Sequence, residues 1–120
     1  MQDCKDLDIL TVTTTVASLA DAQQLGRAIL ERRLAACVQI EEGLTSLYRW
    51  QGKDCEDPEV RLTIKTLPEC EQALRALFEQ QHPYEVPQFL AVGMRASEAY
   101  HAWARGEVSL PAPSGEPNPV

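Results

Sequence analysis

Histidine occurs only twice and aromatic residues form 6% of these 120 residues, so a site built on imidazole or ring faces has few places to sit. No apolar run approaches the roughly 18 residues that span a bilayer, which excludes a transmembrane helix and leaves no membrane partner to expect. Positive charge is also scarce. Eleven Lys and Arg against 18 Asp and Glu give a net charge of −7, and a protein that grips phosphate backbones needs a basic patch to release counterions. No nucleic acid is expected as a partner. The four cysteines, Cys4, Cys37, Cys55 and Cys70, contain no C-x-x-C pair, so a structural zinc site has no support. The N-terminal Met1-Gln2-Asp3-Cys4-Lys5-Asp6 is acidic and lacks an apolar core. No secretory signal is read there, and a cytoplasmic location with free thiols is the expectation. Ser-His-Asp, H-E-x-x-H and phosphate-loop patterns are missing too, so no enzyme activity is expected.

What is present describes one ordinary soluble domain. Hydrophobic residues make up 44% and charged residues 24%, and a chain of this length buries roughly two thirds of its unfolded surface around one core. The composition divides it into a flexible N-terminus (1–7), a single domain (8–107) and a Pro-rich tail (108–120). The tail has nothing to bury and reads as disordered.

Asp8 to Val16 sets Ile9, Leu10, Val12 and Val16 among four threonines, a strand composition. Ser18 suits an N-cap with Asp21 three positions on, and Leu19, Ala22, Leu25 and Ile29 recur at helical spacing. A helix from Ser18 to Arg33 is predicted, with Arg27, Arg32 and Arg33 at the end where the helix dipole favours cations. From Ala35 the period drops to two, through Ala36, Val38 and Ile40 and then Leu44, Ser46, Tyr48 and Trp50, with Gly43 marking a bulge or kink. After a turn at Gln51-Gly52-Lys53, Val60, Leu62 and Ile64 alternate with Glu59, Arg61, Thr63 and Lys65 in a second long strand that returns antiparallel.

Pro68 opens a second helix bearing Cys70, Leu74, Leu77 and Phe78, and His82-Pro83 closes it. Phe89-Leu90-Ala91-Val92 reads as a buried strand, although periodicity alone does not separate it from a helical segment. Ser97 and Gly106 bracket a final short helix. The order β-α-β-β-α-β-α is the split βαβ pattern: an α+β fold with two helices over one face of a four-stranded antiparallel sheet.

The hairpin is too long for the domain that carries it. A strand from Ala35 to Trp50 spans on the order of 50 Å, whereas a helix of about 15 residues covers roughly 22 Å. The overhang carries Leu47, Tyr48, Trp50 and Val60, an apolar patch with open strand edges on a monomer. Another subunit is expected to cover it, unless the strand breaks at Gly43 and folds back on its own sheet.

His82-Pro83-Tyr84-Glu85-Val86-Pro87 sets an imidazole, a phenol and a carboxylate between two prolines. Each proline fixes its own φ and pushes the residue before it toward extended backbone, so the peptide is stiff. Stiff polar loops are where binding sites are built. The same peptide also reads as punctuation, with Pro83 ending a helix and Pro87 preceding a strand.

Arg33-Leu34-Ala35-Ala36-Cys37 leads into Gly43-x-Thr45-Ser46-x-Tyr48-x-Trp50-x-Gly52, then Leu62-x-Ile64-Lys65-Thr66 and the His82 to Pro87 peptide. In these four ordered motifs, within a match that runs from roughly Asp8 to Glu107, the chain resembles the CutA divalent-cation tolerance family. The resemblance implies a ferredoxin-like fold assembled as a homotrimer, a cytoplasmic location and a link with copper or another divalent cation. It also implies a copper site made from a cysteine on the first strand and a His-His pair ahead of the Pro-Tyr. In this chain those positions read Thr14 and Gln81-His82, so His82 is the ligand that matches. Cys37, at the family's cysteine after Leu-Ala-Ala, is the second candidate, and its apolar neighbours equally suit a core role.

Two functional readings follow. One is a metal-responsive trimer with His82 and Cys37 as metal ligands. The other is a small-ligand sensor or scaffold of the PII type, with a cleft between subunits lined by Trp50, Glu59, Lys65, Tyr84 and Glu85.

Overall fold

The computed structural model describes residues 7–110, which form β1 (Leu7–Val16), α1 (Leu19–Glu31), β2 (Cys37–Trp50), β3 (Lys53–Thr66), α2 (Glu71–Gln81), β4 (Leu90–Ala96) and α3 (Glu98–Glu107). All strand pairs are antiparallel, in the order β2-β3-β1-β4. Each helical crossover therefore skips one strand: α1 leads from β1 past β3 to β2, and α2 from β3 past β1 to β4. This is the ferredoxin-like arrangement that the element order implied. Residues 1–6 of the expected flexible start and 111–120 of the expected tail lie outside the described residues.

Alternation along the central strands builds the core. Leu10, Val12 and Val16 of β1 stand beside Val60, Leu62 and Ile64 of β3 on one face, and they meet Ala22, Leu25 and Ile29 of α1 and Leu74, Leu77 and Phe78 of α2. Gly26 lets α1 sit close on β2, since a Cβ there would lie 3.3 Å from Val38 Cγ1. On the opposite face α3 covers one end only, where Ala104 and Val108 pack with Ile9, Leu67 and Cys70.

The helix ends explain where prediction and structure part. Ser18 Oγ accepts from the Asp21 amide at 3.1 Å, as its spacing implied. At the other end Arg33 N–H donates to Leu30 and Leu34 N–H to Ile29, with Arg33 at φ 55°. This is a Schellman closure with an arginine in the left-handed position that glycine usually takes. It stops α1 at Glu31 and leaves Arg32 and Arg33 beyond the last turn. Arg33 Nη2 donates to the carbonyl of Gly106 at 3.2 Å, and Gly106 lies inside α3 instead of ending it. Val108 is buried and the Ser109 amide donates to Arg33 O at 2.8 Å, so the packed chain runs into the segment assigned to the tail.

β4 is a strand, but an edge strand with open side chains. Leu90, Val92 and Met94 face the side that α3 leaves bare, and Val92 is 58% exposed.

The hairpin continues across Gly43 without folding back. Gln51 and Gly52, both at positive φ (52° and 80°), make the two-residue turn that pairs Trp50 with Lys53. Glu41 pairs with Arg61 and Leu44 with Glu59, so Glu42 and Gly43 together oppose Val60 alone, a bulge with Gly43 at φ 85°. The extra residue reverses the alternation. Val38 and Ile40 point to the helices, opposite Ile64 and Leu62, whereas Ser46, Tyr48 and Trp50 share the face of Glu59 and Asp57. Fourteen residues per strand span about 46 Å, against about 20 Å for the 13 residues of α1. Leu47 (73% exposed), Tyr48 and Trp50 (42%) hang beyond the helices as expected. Val60 does not, because it is buried in the core.

Candidate functional site

α2 ends at His82, whose backbone turns extended (φ −70°, ψ 134°) because Pro83 follows. The imidazole is buried, 8% exposed, with Phe78 on one side and Tyr84 on the other at 5.3 Å between ring centroids in each case. Its Nδ1 accepts from the Tyr84 amide at 3.1 Å, and its Nε2 lies 2.9 Å from Thr14 Oγ1. A backbone N–H can only donate, so in the neutral ring the proton sits on Nε2 and points to Thr14. Burial pushes the His82 pKa below its ordinary value, against smaller opposing effects of the Thr15 backbone, Asp21 and Glu59. The ring is thus a neutral strut that fixes where Pro83 and Tyr84 go.

Tyr84 carries that placement into a cleft. Its hydroxyl donates to Glu59 Oε2 at 2.5 Å, and Ser46 donates to Glu59 Oε1 at 2.7 Å. The Tyr84 pKa is raised, first by burial and then by this carboxylate. Next to it Tyr48 donates to Asp57 Oδ2 at 2.6 Å, which with minor burial pushes its phenol up to about 12. The cleft has a volume of about 590 Å³, within the range of small-molecule sites. The outer hairpin supplies one wall with Ser46, Tyr48, Trp50 and Glu59, and the loop after α2 supplies the other with Pro83, Tyr84 and Glu85.

Of the five residues expected in a cleft, Trp50, Glu59, Tyr84 and Glu85 meet here within a single chain. Lys65 does not. It pairs with Cys37 and Thr11, six positions along β3 from Glu59, or about 20 Å. Ser46, Tyr48 and Thr15, which also line the cleft, were not singled out from sequence. The two-residue turn was the available signal for the first two, since it fixes which β2 residues face Glu59 and Asp57.

The two expected metal ligands stand apart. Thr14 and His82 lie on the helix side of the sheet, whereas Cys37, next to the inward-facing Val38, points to the α3 side. Both His82 nitrogens already have partners, and among the described residues no group of three or more His, Cys, Asp and Glu is placed to hold an ion. Within one chain, His82 and Cys37 do not fit a copper ion.

Residues 10–107 match the family model of the CutA1 divalent ion tolerance protein. The divalent-cation tolerance protein CutA of Thermus thermophilus is 41% identical over 95 residues, covering 78% of this chain and 92% of its own. The solved structure of CutA from Synechococcus elongatus superposes with a TM-score of 0.82 at 37% identity, over 88% of this chain and 95% of that one. The structure of a periplasmic divalent cation tolerance protein CutA from Archaeoglobus fulgidus gives 0.80 at 27% identity over 84% and 99%. With strand order, hairpin and cleft loop in agreement with a match over nearly the whole domain, the chain belongs to the CutA1 divalent ion tolerance family.

Proposed function

We propose that the protein works as a cytoplasmic homotrimer in the response to divalent metal ions, binding copper or another divalent cation. Membership of the family supports the link with divalent cations. One observation carries the assembly: Leu90, Val92 and Met94 stand exposed on the bare face of β4. Neighbouring subunits that lay their hairpins across each other's sheets would bury them. A metal site on this reading draws donors from more than one subunit, because His82 and Cys37 occupy opposite faces of one sheet. The relatives are named for tolerance and not for a reaction, and the proposed role is not enzymatic. No helix of the described residues is long and apolar enough to cross a membrane. Cell fractionation decides between the cytoplasm and the periplasmic location given for the Archaeoglobus protein.

Calorimetric titration of Cu(II) into the protein and into His82→Ala and Cys37→Ala tests the binding. Saturation at a fixed ratio to subunits, weakened by at least one substitution, is the expected result. Equal affinity in all three removes both residues from the site, and no binding by the unaltered protein ends the reading.

A second reading has its own observation, the cleft at Trp50, Glu59, Tyr84 and Glu85. Three aromatic rings around a clamped carboxylate are more than an ion needs, and they suit a small organic ligand and a PII-like sensing role. A thermal-shift screen of anions, nucleotides, amines and metabolites tests it, and silence throughout removes it.

A further inference from the structure

We propose that the cleft takes an organic cation, an ammonium group with apolar substituents; this rests on the small-ligand reading above. Three of the four hydroxyls that line the cleft, all but that of Thr15, direct their protons at carboxylates. Tyr84 and Ser46 donate to Glu59, and Tyr48 donates to Asp57. An anion entering here would find these three donors occupied and two carboxylates, Glu59 and Glu85, in the wall. Among the described residues no lysine or arginine lines the cleft. Lys53 stands opposite Trp50 at the hairpin tip, and Arg61 opposite Thr15, where its Nε donates to Glu41 at 3.1 Å. Lys65, the one cation expected from sequence in the cleft, lies well along β3.

What the cleft offers is what a cation needs. Tyr48, Trp50 and Tyr84 line the cleft, and an aromatic ring attracts positive charge through its quadrupole. Glu59 has both oxygens held by one donor each, and a carboxylate accepts about four, so it keeps accepting capacity in the cleft wall. Leu47 and Val86 add apolar surface for the substituents, and Glu85 at the exposed rim extends the negative field. The net charge of −7 draws cations toward the molecule at long range. A bare metal ion uses neither the rings nor the apolar walls, whereas an alkyl or aryl ammonium uses all three features.

Trp50 fluorescence reads the site directly, in a Trp103→Phe background that removes the other indole. Benzyltrimethylammonium, benzoate and neutral benzyl alcohol are titrated in the presence of EDTA, which keeps metal ions out. The expected result is saturable quenching by the ammonium, weaker by about tenfold in Glu59→Gln, and no saturation by benzoate. Benzoate or benzyl alcohol binding as tightly as the ammonium would overturn the cation assignment and leave the small-ligand reading standing. Ammonium binding of equal strength in Glu59→Gln also overturns it. Quenching by none of the three, joined to a silent thermal-shift screen, removes both.

Discussion

Thr14 Oγ1 and His82 Nε2 lie 2.9 Å apart, 68 residues distant in sequence and buried between sheet and helix. Thr14 stands where the family resemblance placed a strand-one cysteine, so two of the three positions of an implied copper site are neighbours here and are joined by a hydrogen bond. Thr14→Val keeps the shape and removes the acceptor, leaving a buried N–H short of a partner. A loss of about 1 to 2 kcal/mol is expected in urea unfolding. An unchanged midpoint would show that the imidazole proton is satisfied without Thr14.

Acidification should act on the same ring. The folded protein holds a proton on His82 less readily than the unfolded chain, whose histidine titrates near 6.5. Between the folded value and about 6.5 the unfolded state binds more protons, so stability falls as pH drops through that window and is fully present above it. Protonation also sets an N–H against the Tyr84 amide, which loses its acceptor. Urea midpoints at pH 7.5, 6.5 and 5.5 should decline for the unaltered protein and decline less for His82→Gln. Parallel declines would assign the effect elsewhere.

The hairpin turn permits a change in the opposite direction. Gln51 at φ 52° occupies a left-handed conformation that costs most side chains about 1 kcal/mol, and asparagine tolerates it. Gln51→Asn should raise the unfolding midpoint, whereas Gly52→Ala, at φ 80° with open space around it, should lower stability by about 1 kcal/mol. Opposite signs for the pair are the result to look for.

Assembly is tested on β4. Val92 projects from the bare face of an edge strand, so Val92→Glu costs the isolated chain little and places a charge in any interface built there. Light scattering should give about three times 13.4 kDa for the unaltered protein and a smaller mass for the variant. A trimer that survives the substitution moves the interface off this face.

Much of the fold was legible because its signals are local. The Ser18 cap, the switch of period at Ala35 and the Gly43 interruption each appear in the structure where the residues announced them. Even the wall of the cleft was within reach: a two-residue turn at Gln51-Gly52 pairs Trp50 with Lys53, and counting back puts Ser46 opposite Asp57 and Leu44 opposite Glu59. The exposure of β4 was hidden, because an apolar run reads the same whether its own helices or another surface covers it. Lys65 was expected in the same cleft as Glu59, but six positions of an extended strand separate the two. The meeting of Thr14 with His82 depends on α2 crossing behind β1, which no sequence window contains.

The extra residue at Gly43 sets a parity. Inside the bulge, even-numbered side chains of β2 belong to the helices; outside it, they belong to the cleft. Removing Gly43 alone would set Glu42 opposite Val60 and leave Ser46, Tyr48 and Trp50 on the face of Glu59 and Asp57, because β3 is continuous and paired residues share a face. Changes of hairpin length between Gly43 and the turn therefore preserve the aromatic wall only when each strand gains or loses residues in pairs.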